Sequence, residues 1–153
     1  MQLRMILLSA IAVISIAACG GKAKGPESGG TAPGASLYDR LGGKDAITAV
    51  VKDFVEERVA KDNRINAQFA NTDIPALESK LVDQICQATG GPCTYTGKDM
   101  KTTHAAMKIT NADFDALVDD LKASLAKFKV GAKEQEELLG TLGGMRGDIV
   151  TVK

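Results

Sequence analysis

Ile47, Val50, Val51, Phe54 and Val55 fall at i, i+3, i+4, i+7 and i+8. That spacing stacks five apolar side chains on one face of a helix, and Lys52, Asp53, Glu56 and Glu57 are expected on the opposite, solvated side. The same period recurs at Leu77, Leu81, Gln84 and Ile85, with Val82 beside them, and at Phe114, Leu117, Val118, Leu121 and Leu125. Nowhere does the chain alternate apolar and polar residues as a half-buried strand would, and no segment repeats. The pattern predicts an all-α domain.

Glycine, proline and capping residues divide the helices. Asp39-Arg40-Leu41-Gly42-Gly43 closes a short first element, and the helix carrying Ile47 starts at Lys44 and fades near Lys61-Asp62-Asn63. Arg64 to Phe69 has room for one short turn. Thr72-Asp73-Ile74-Pro75 joins a capping oxygen to a first-turn proline, a helix start that Gly90-Gly91-Pro92 later stops. Thr110-Asn111-Ala112-Asp113 is a capping box with Asp as its acid, opening a helix that Val130-Gly131 ends. Ala132 to Lys153 is expected as one last helix, with Leu138, Leu139, Leu142, Met145, Ile149 and Val150 apolar. Gly140, Gly143, Gly144 and Gly147 weaken it, unless they admit a close neighbour or a cofactor.

The first 36 residues do not belong to this domain. MQLR supplies a positive start, and the apolar run that follows is too short for a comfortable membrane span. It ends in Ile16-Ala17-Ala18-Cys19, which resembles the lipobox of bacterial lipoproteins. That resemblance implies a signal peptide over 1–18 and a lipidated Cys19. Gly20 after the cysteine implies sorting to the outer membrane. The Gly/Pro/Ser-rich stretch up to Ser36 has no apolar period, so 19–36 is expected to be a flexible tether and 37–153 the domain. The expected location is therefore the periplasmic face of a bacterial membrane, reached only through the lipid anchor. Export makes a disulfide between Cys86 and Cys93 reasonable, and two buried free thiols fit the same spacing. With 19 Lys and Arg against 19 Asp and Glu, and no basic run, the chain carries no electrostatic footprint for nucleic acid.

His104 is the single histidine of the chain. A zinc site is disfavoured, because no second histidine and no Cys-x2-Cys pair stand near it. No phosphate loop and no nucleophile elbow is present either. The surroundings are apolar: Met100, Thr103 and Met107 share a helical side with His104, and Ile109 and Phe114 follow. Phe54, Phe69, Leu77, Leu81 and Ile85 offer apolar faces from other helices. One imidazole against such a wall suits haem, a flat hydrophobe held by an axial bond.

The stretches SLYDRLGG (36–43), AITAVVKDFV (46–55), INAQFA (65–70), TGGPCTYTGKDMKTTHAAMKIT (89–110) and FDALVDDL (114–121) together resemble the group 1 truncated haemoglobins. The resemblance implies a two-over-two helical sandwich around haem b, iron protoporphyrin IX. It makes His104 the proximal iron ligand, packs Phe69 on the porphyrin face, and puts Leu77 and Leu81 above the iron. It also gives Lys80 a haem propionate to reach, although a solvated lysine fits that position equally well.

Two departures from the family stand out. Where the family commonly has a tyrosine that holds bound oxygen, directly after the Phe54 position, this chain has Val55. Where a glutamine often supports that tyrosine, it has Leu81, leaving Gln84 as the nearby polar candidate. The run Val55-Glu56-Glu57-Arg58-Val59 is also one residue longer than usual. The function implied is reversible binding of a diatomic gas: oxygen, nitric oxide or carbon monoxide. One alternative is nitric oxide dioxygenation, which needs an external reductase because no flavin or nicotinamide motif is present. Another is a haem-free helical lipoprotein that binds a protein partner.

Overall fold

The computed structural model describes residues 34–152. The expected signal peptide, Cys19 and most of the tether lie outside the described residues. The described chain forms helices and no strand. In order these are α1 (Leu37–Arg40), α2 (Gly43–Lys52), a π-helical turn (Asp53–Arg58), 3-10 turns at Val59–Lys61 and Asn66–Phe69, α3 (Ile74–Ala88), α4 (Met100–His104), α5 (Asn111–Lys127), α6 (Ala132–Gly143) and α7 (Arg146–Ile149). Segment α2 and its π-helical continuation lie at the centre, packed on α3 along the first part and on α5 along the second. The core forms there from Ile47, Val51, Val55, Val82, Ile85, Leu121 and Leu125.

The capping signals are realised. The Asp73 carboxylate accepts from the Ala76 N–H at 3.0 Å, with Pro75 in the first turn of α3. Thr110 and Asp113 exchange the reciprocal bonds of a capping box at the start of α5. That helix ends at Lys127, before the expected Val130-Gly131, through Lys129 at a positive φ of 56°.

The long helix from Lys44 is not regular to its end. At Val59 the N–H donates to the carbonyl of Phe54 as well as Val55, the wider i to i−5 closure of a π-turn. A π-turn absorbs one extra residue, and it covers Val55 to Arg58, within the run that the resemblance implies is one residue longer than in the family. It also rotates the faces. Asp53, Phe54 and Val55 are all buried, at 5, 7 and 2% exposure. Asp53, expected on the solvated side, instead points at α5, where its carboxylate accepts from Ser124 Oγ at 2.9 Å and pairs with Lys127. Burial by itself would raise the Asp53 pKa. The hydrogen bonds from Lys127 and Ser124 and the charges of Lys127 and Arg58 outweigh it and hold the carboxyl below its ordinary value.

The last helix is likewise two. It stops at Gly143, and four-residue α7 turns back to pack on α4. Glycine loses more conformational freedom on folding than any other residue, so the Gly143-Gly144 pair is where continuing the helix gains least. These glycines do not admit a close neighbour from another element: a Cβ on Gly140, Gly143 or Gly147 would meet nothing within 4 Å beyond its own stretch of helix, and one on Gly144 would meet only the Thr141 and Gly140 carbonyls of the preceding turn. Gly91 is the opposite case, since a Cβ there would meet Tyr38 Cδ2 at 2.5 Å and Cys86 Sγ at 2.7 Å. Gly90, at φ 84°, turns the chain just before that close approach. Cys86 and Cys93 are joined, with Cα atoms 5.7 Å apart, so the end of α3 is tied to the loop leading to α4.

Candidate functional site

The five-residue α4 ends on His104, which is half-buried. Asp99 caps the helix, accepting from Thr102 N–H at 2.8 Å, and these bonds lower the Asp99 pKa. One turn later His104 Nδ1 lies 2.8 Å from the Met100 carbonyl oxygen. A carbonyl only accepts, so Nδ1 carries a proton, and in the neutral imidazole Nε2 is then the nitrogen with the lone pair. A backbone carbonyl on the far nitrogen is the usual way a metal-binding imidazole is oriented.

The ring of His104 lines two apolar cavities. The larger, of about 140 Å³, is walled by Phe54, by Leu81, Gln84 and Ile85 of α3, and by Met100. Leu117, Val118 and Leu121 of α5, with Leu139, Leu142, Met145 and Ile149, complete it. The smaller, of about 60 Å³, is walled by Ile65, Gln68 and Phe69 on one side and by Met107, Ile109 and Asp113 on the other. His104, Phe114, Leu117 and Ile149 belong to both and form a partition between them.

Most residues singled out in the sequence meet here: Phe54, Phe69, Leu81, Gln84, Ile85, Met100, His104, Met107, Ile109 and Phe114. Three do not line either cavity. Val55 is turned into the core by the π-helical register, and Phe54 faces the cavity instead. Leu77 is half-buried against the core. Lys80 is exposed, its Nζ donating to Thr96 Oγ1 at 2.8 Å. The contributions of Met145 and Ile149 went unseen in the sequence. Their apolar character was legible, but the turn that folds them back over α4 was not.

Apart from His104, Gln84 is the polar group on the wall of the larger cavity. Its amide nitrogen sits 3.4 Å from Met100 Sδ and 3.5 Å from Met145 Sδ. Thioethers are weak acceptors, so the donor is held without being well used.

This arrangement has known counterparts. The family described as bacterial-like globin matches residues 36–151. The chain belongs to the bacterial-like globins. The globin is 34% identical to the group 1 truncated hemoglobin GlbN of Mycolicibacterium paratuberculosis, over 76% of this chain and 85% of the relative. It is also 34% identical to GlbN of a Nostoc species, over 75% of this chain and 97% of the relative. In three dimensions it is similar to the truncated hemoglobin of Tetrahymena pyriformis in its Fe(III) form, with TM-score 0.72 and 31% identity over 76% of this chain and 98% of the other. A second similar structure is the 2/2 hemoglobin of a Synechococcus species with covalently attached heme, with TM-score 0.71 and 30% identity over the same shares. The fold is that of a truncated, two-over-two globin.

The residues present fit a haem. The wall is apolar, a single imidazole with a free Nε2 faces it, and the larger cavity carries no carboxylate to compete for iron.

Proposed function

We propose that this globin binds haem b through His104 Nε2 and, so loaded, reversibly binds a diatomic gas such as oxygen, nitric oxide or carbon monoxide. The observation that carries the reading is the setting of His104: Nδ1 is committed to the Met100 carbonyl while the ring faces an apolar cavity. When bound, ferrous haem supplies the coordination position for the gas. The chain's own residues do the rest. Met100 O fixes the tautomer and rotation of the imidazole. The aliphatic and aromatic wall excludes water, which slows loss of the ferrous state. Gln84 is the amide donor on the cavity wall that would be available to an oxygen ligand, since its present partners are two weak thioether acceptors. Phe69, on the wall of the smaller cavity, would pack on a bound macrocycle, and Lys80, exposed beside Thr96 and outside both cavities, would have to leave that hydroxyl to serve as the cation for a propionate.

The absorption spectrum tests this. Wild type loaded with hemin should show a Soret band that shifts with carbon monoxide. His104→Ala should lose the axial ligation while keeping its helical circular dichroism. A variant with the wild-type ferrous and carbon monoxide spectra would refute the assignment.

The N-terminal pattern supports display of the globin on the periplasmic face of a membrane, through lipid on Cys19 and the Gly/Pro/Ser tether. Radiolabelled palmitate should enter the wild-type chain and not Cys19→Ala. Equal labelling of the two would remove the anchor.

A further inference from the structure

The site is divided, and a flat macrocycle needs one continuous slot. Four residues form the partition: His104, Phe114, Leu117 and Ile149. His104 is the donor. Phe114 and Leu117 belong to the 17-residue α5, which is anchored in the core through Leu121 and Leu125. Ile149 is different. It sits on α7, four residues long with none of them buried, attached to α6 through Gly143 and Gly144. The surroundings of Gly140, Gly143 and Gly147 are open, so nothing crowds the backbone on that side.

Beyond its packing on α4 and the contact of Gln84 with Met145 at its N-terminus, two sets of polar contacts hold α7 in place. The Arg146 guanidinium lies 4.4 Å from the centre of the Phe114 ring, donates to Asn111 Oδ1 at 2.8 Å and pairs with Asp115. Beyond α7, the N–H groups of Thr151 and Val152 donate to the Ile109 carbonyl at 2.9 and 3.0 Å, and Ile109 N–H donates to Thr151 Oγ1 at 3.0 Å. A unit with few buried apolar contacts, held by near-surface hydrogen bonds, opens at low cost compared with global unfolding.

We propose that α7 and residues 150–152 form a flap, hinged at Gly143-Gly144, whose displacement withdraws Ile149, joins the two cavities into one slot along His104, and is the route of haem uptake and release. Arg146 is the clamp that holds the flap shut. The inference rests on the haem reading above.

A cross-link tests it. In Ile109→Cys/Thr151→Cys the two new cysteines would replace an adjacent, hydrogen-bonded pair. Stopped-flow growth of the Soret band on mixing apoprotein with hemin should be about tenfold slower with the cross-link oxidised than reduced, with wild type treated identically as control. Independently, Arg146→Ala should pass haem to excess apomyoglobin about tenfold faster than wild type with an unchanged Soret spectrum, while Arg64→Ala should match wild type. Haem uptake that ignores the cross-link, or Arg146→Ala release at the wild-type rate, would overturn the flap and leave haem binding intact. Absence of a Soret band in wild type would overturn both.

Discussion

The π-turn at Asp53–Arg58 makes one prediction that separates register in the sequence from register in the fold. By sequence, the place to restore an oxygen-holding tyrosine is Val55. By structure, it is Phe54, whose ring lines the cavity while Val55 is 2% exposed inside the core. A phenol in the cavity can donate to an oxygen ligand with partial negative charge, and a hydrogen bond to a charged group is worth about 1.5–3 kcal/mol. Phe54→Tyr should therefore slow oxygen dissociation by about tenfold to a hundredfold, at about 1.4 kcal/mol per decade. Val55→Tyr meets no cavity. It overpacks a filled core at a cost of about 1–3 kcal/mol and should leave the dissociation rate within about twofold of wild type. Oxygen dissociation is read by stopped flow, with carbon monoxide trapping the emptied ferrous form, and stability by urea unfolding of the same samples. Slow release from Val55→Tyr with wild-type release from Phe54→Tyr would refute the structural register.

Three other expectations follow from named contacts. Gln84→Leu should speed oxygen release several-fold while changing stability little, because the amide gives up only thioether partners; unchanged release would show that the amide stays on the sulfurs. Asp53→Asn should destabilise the fold by about 2–3 kcal/mol in urea, since it weakens the bonds to Lys127 and leaves the fully buried Ser124 with a poorer partner. Because the folded-state pKa of Asp53 is depressed, its contribution is complete above 3.8 and is lost as pH falls below that value. The wild-type advantage over Asp53→Asn should therefore shrink on acidification below about pH 4, and an advantage that persists there would contradict the charged pairing. Cys86→Ser/Cys93→Ser should lower stability by about 2 kcal/mol, the loop-closure entropy of a bridge with sequence separation 7; matching melting curves for variant and oxidised wild type would refute that.

The helices were legible wherever one face is apolar and the ends carry their own chemistry. Asp73 with Pro75, and Thr110 with Asp113, need only local backbone N–H groups to act, and local geometry is what spacing encodes. Asp53 was misjudged for the opposite reason. A carboxylate between Lys52 and Phe54 looks solvated until a second helix brings Ser124 and Lys127 to it from more than seventy residues away. The C-terminal helix was misjudged because an apolar stripe states which side chains want burial and not how far the backbone can stay straight. Four glycines cheapened a turn that packing against α4 then took.

For this globin, the sequence alone determined the helical class, the caps, the glycine stop after α3, and the one imidazole able to hold iron. Each depends on residue type and near-neighbour spacing. Which face of the π-turn reaches the cavity, the joining of Cys86 to Cys93, and the partition that Ile149 completes were decided by tertiary structure. The first and last are contacts between segments distant in the chain, set by the packing of one helix on another; the disulfide, only seven residues in span, depends on how the chain turns after α3 to bring the two Cα atoms within 5.7 Å.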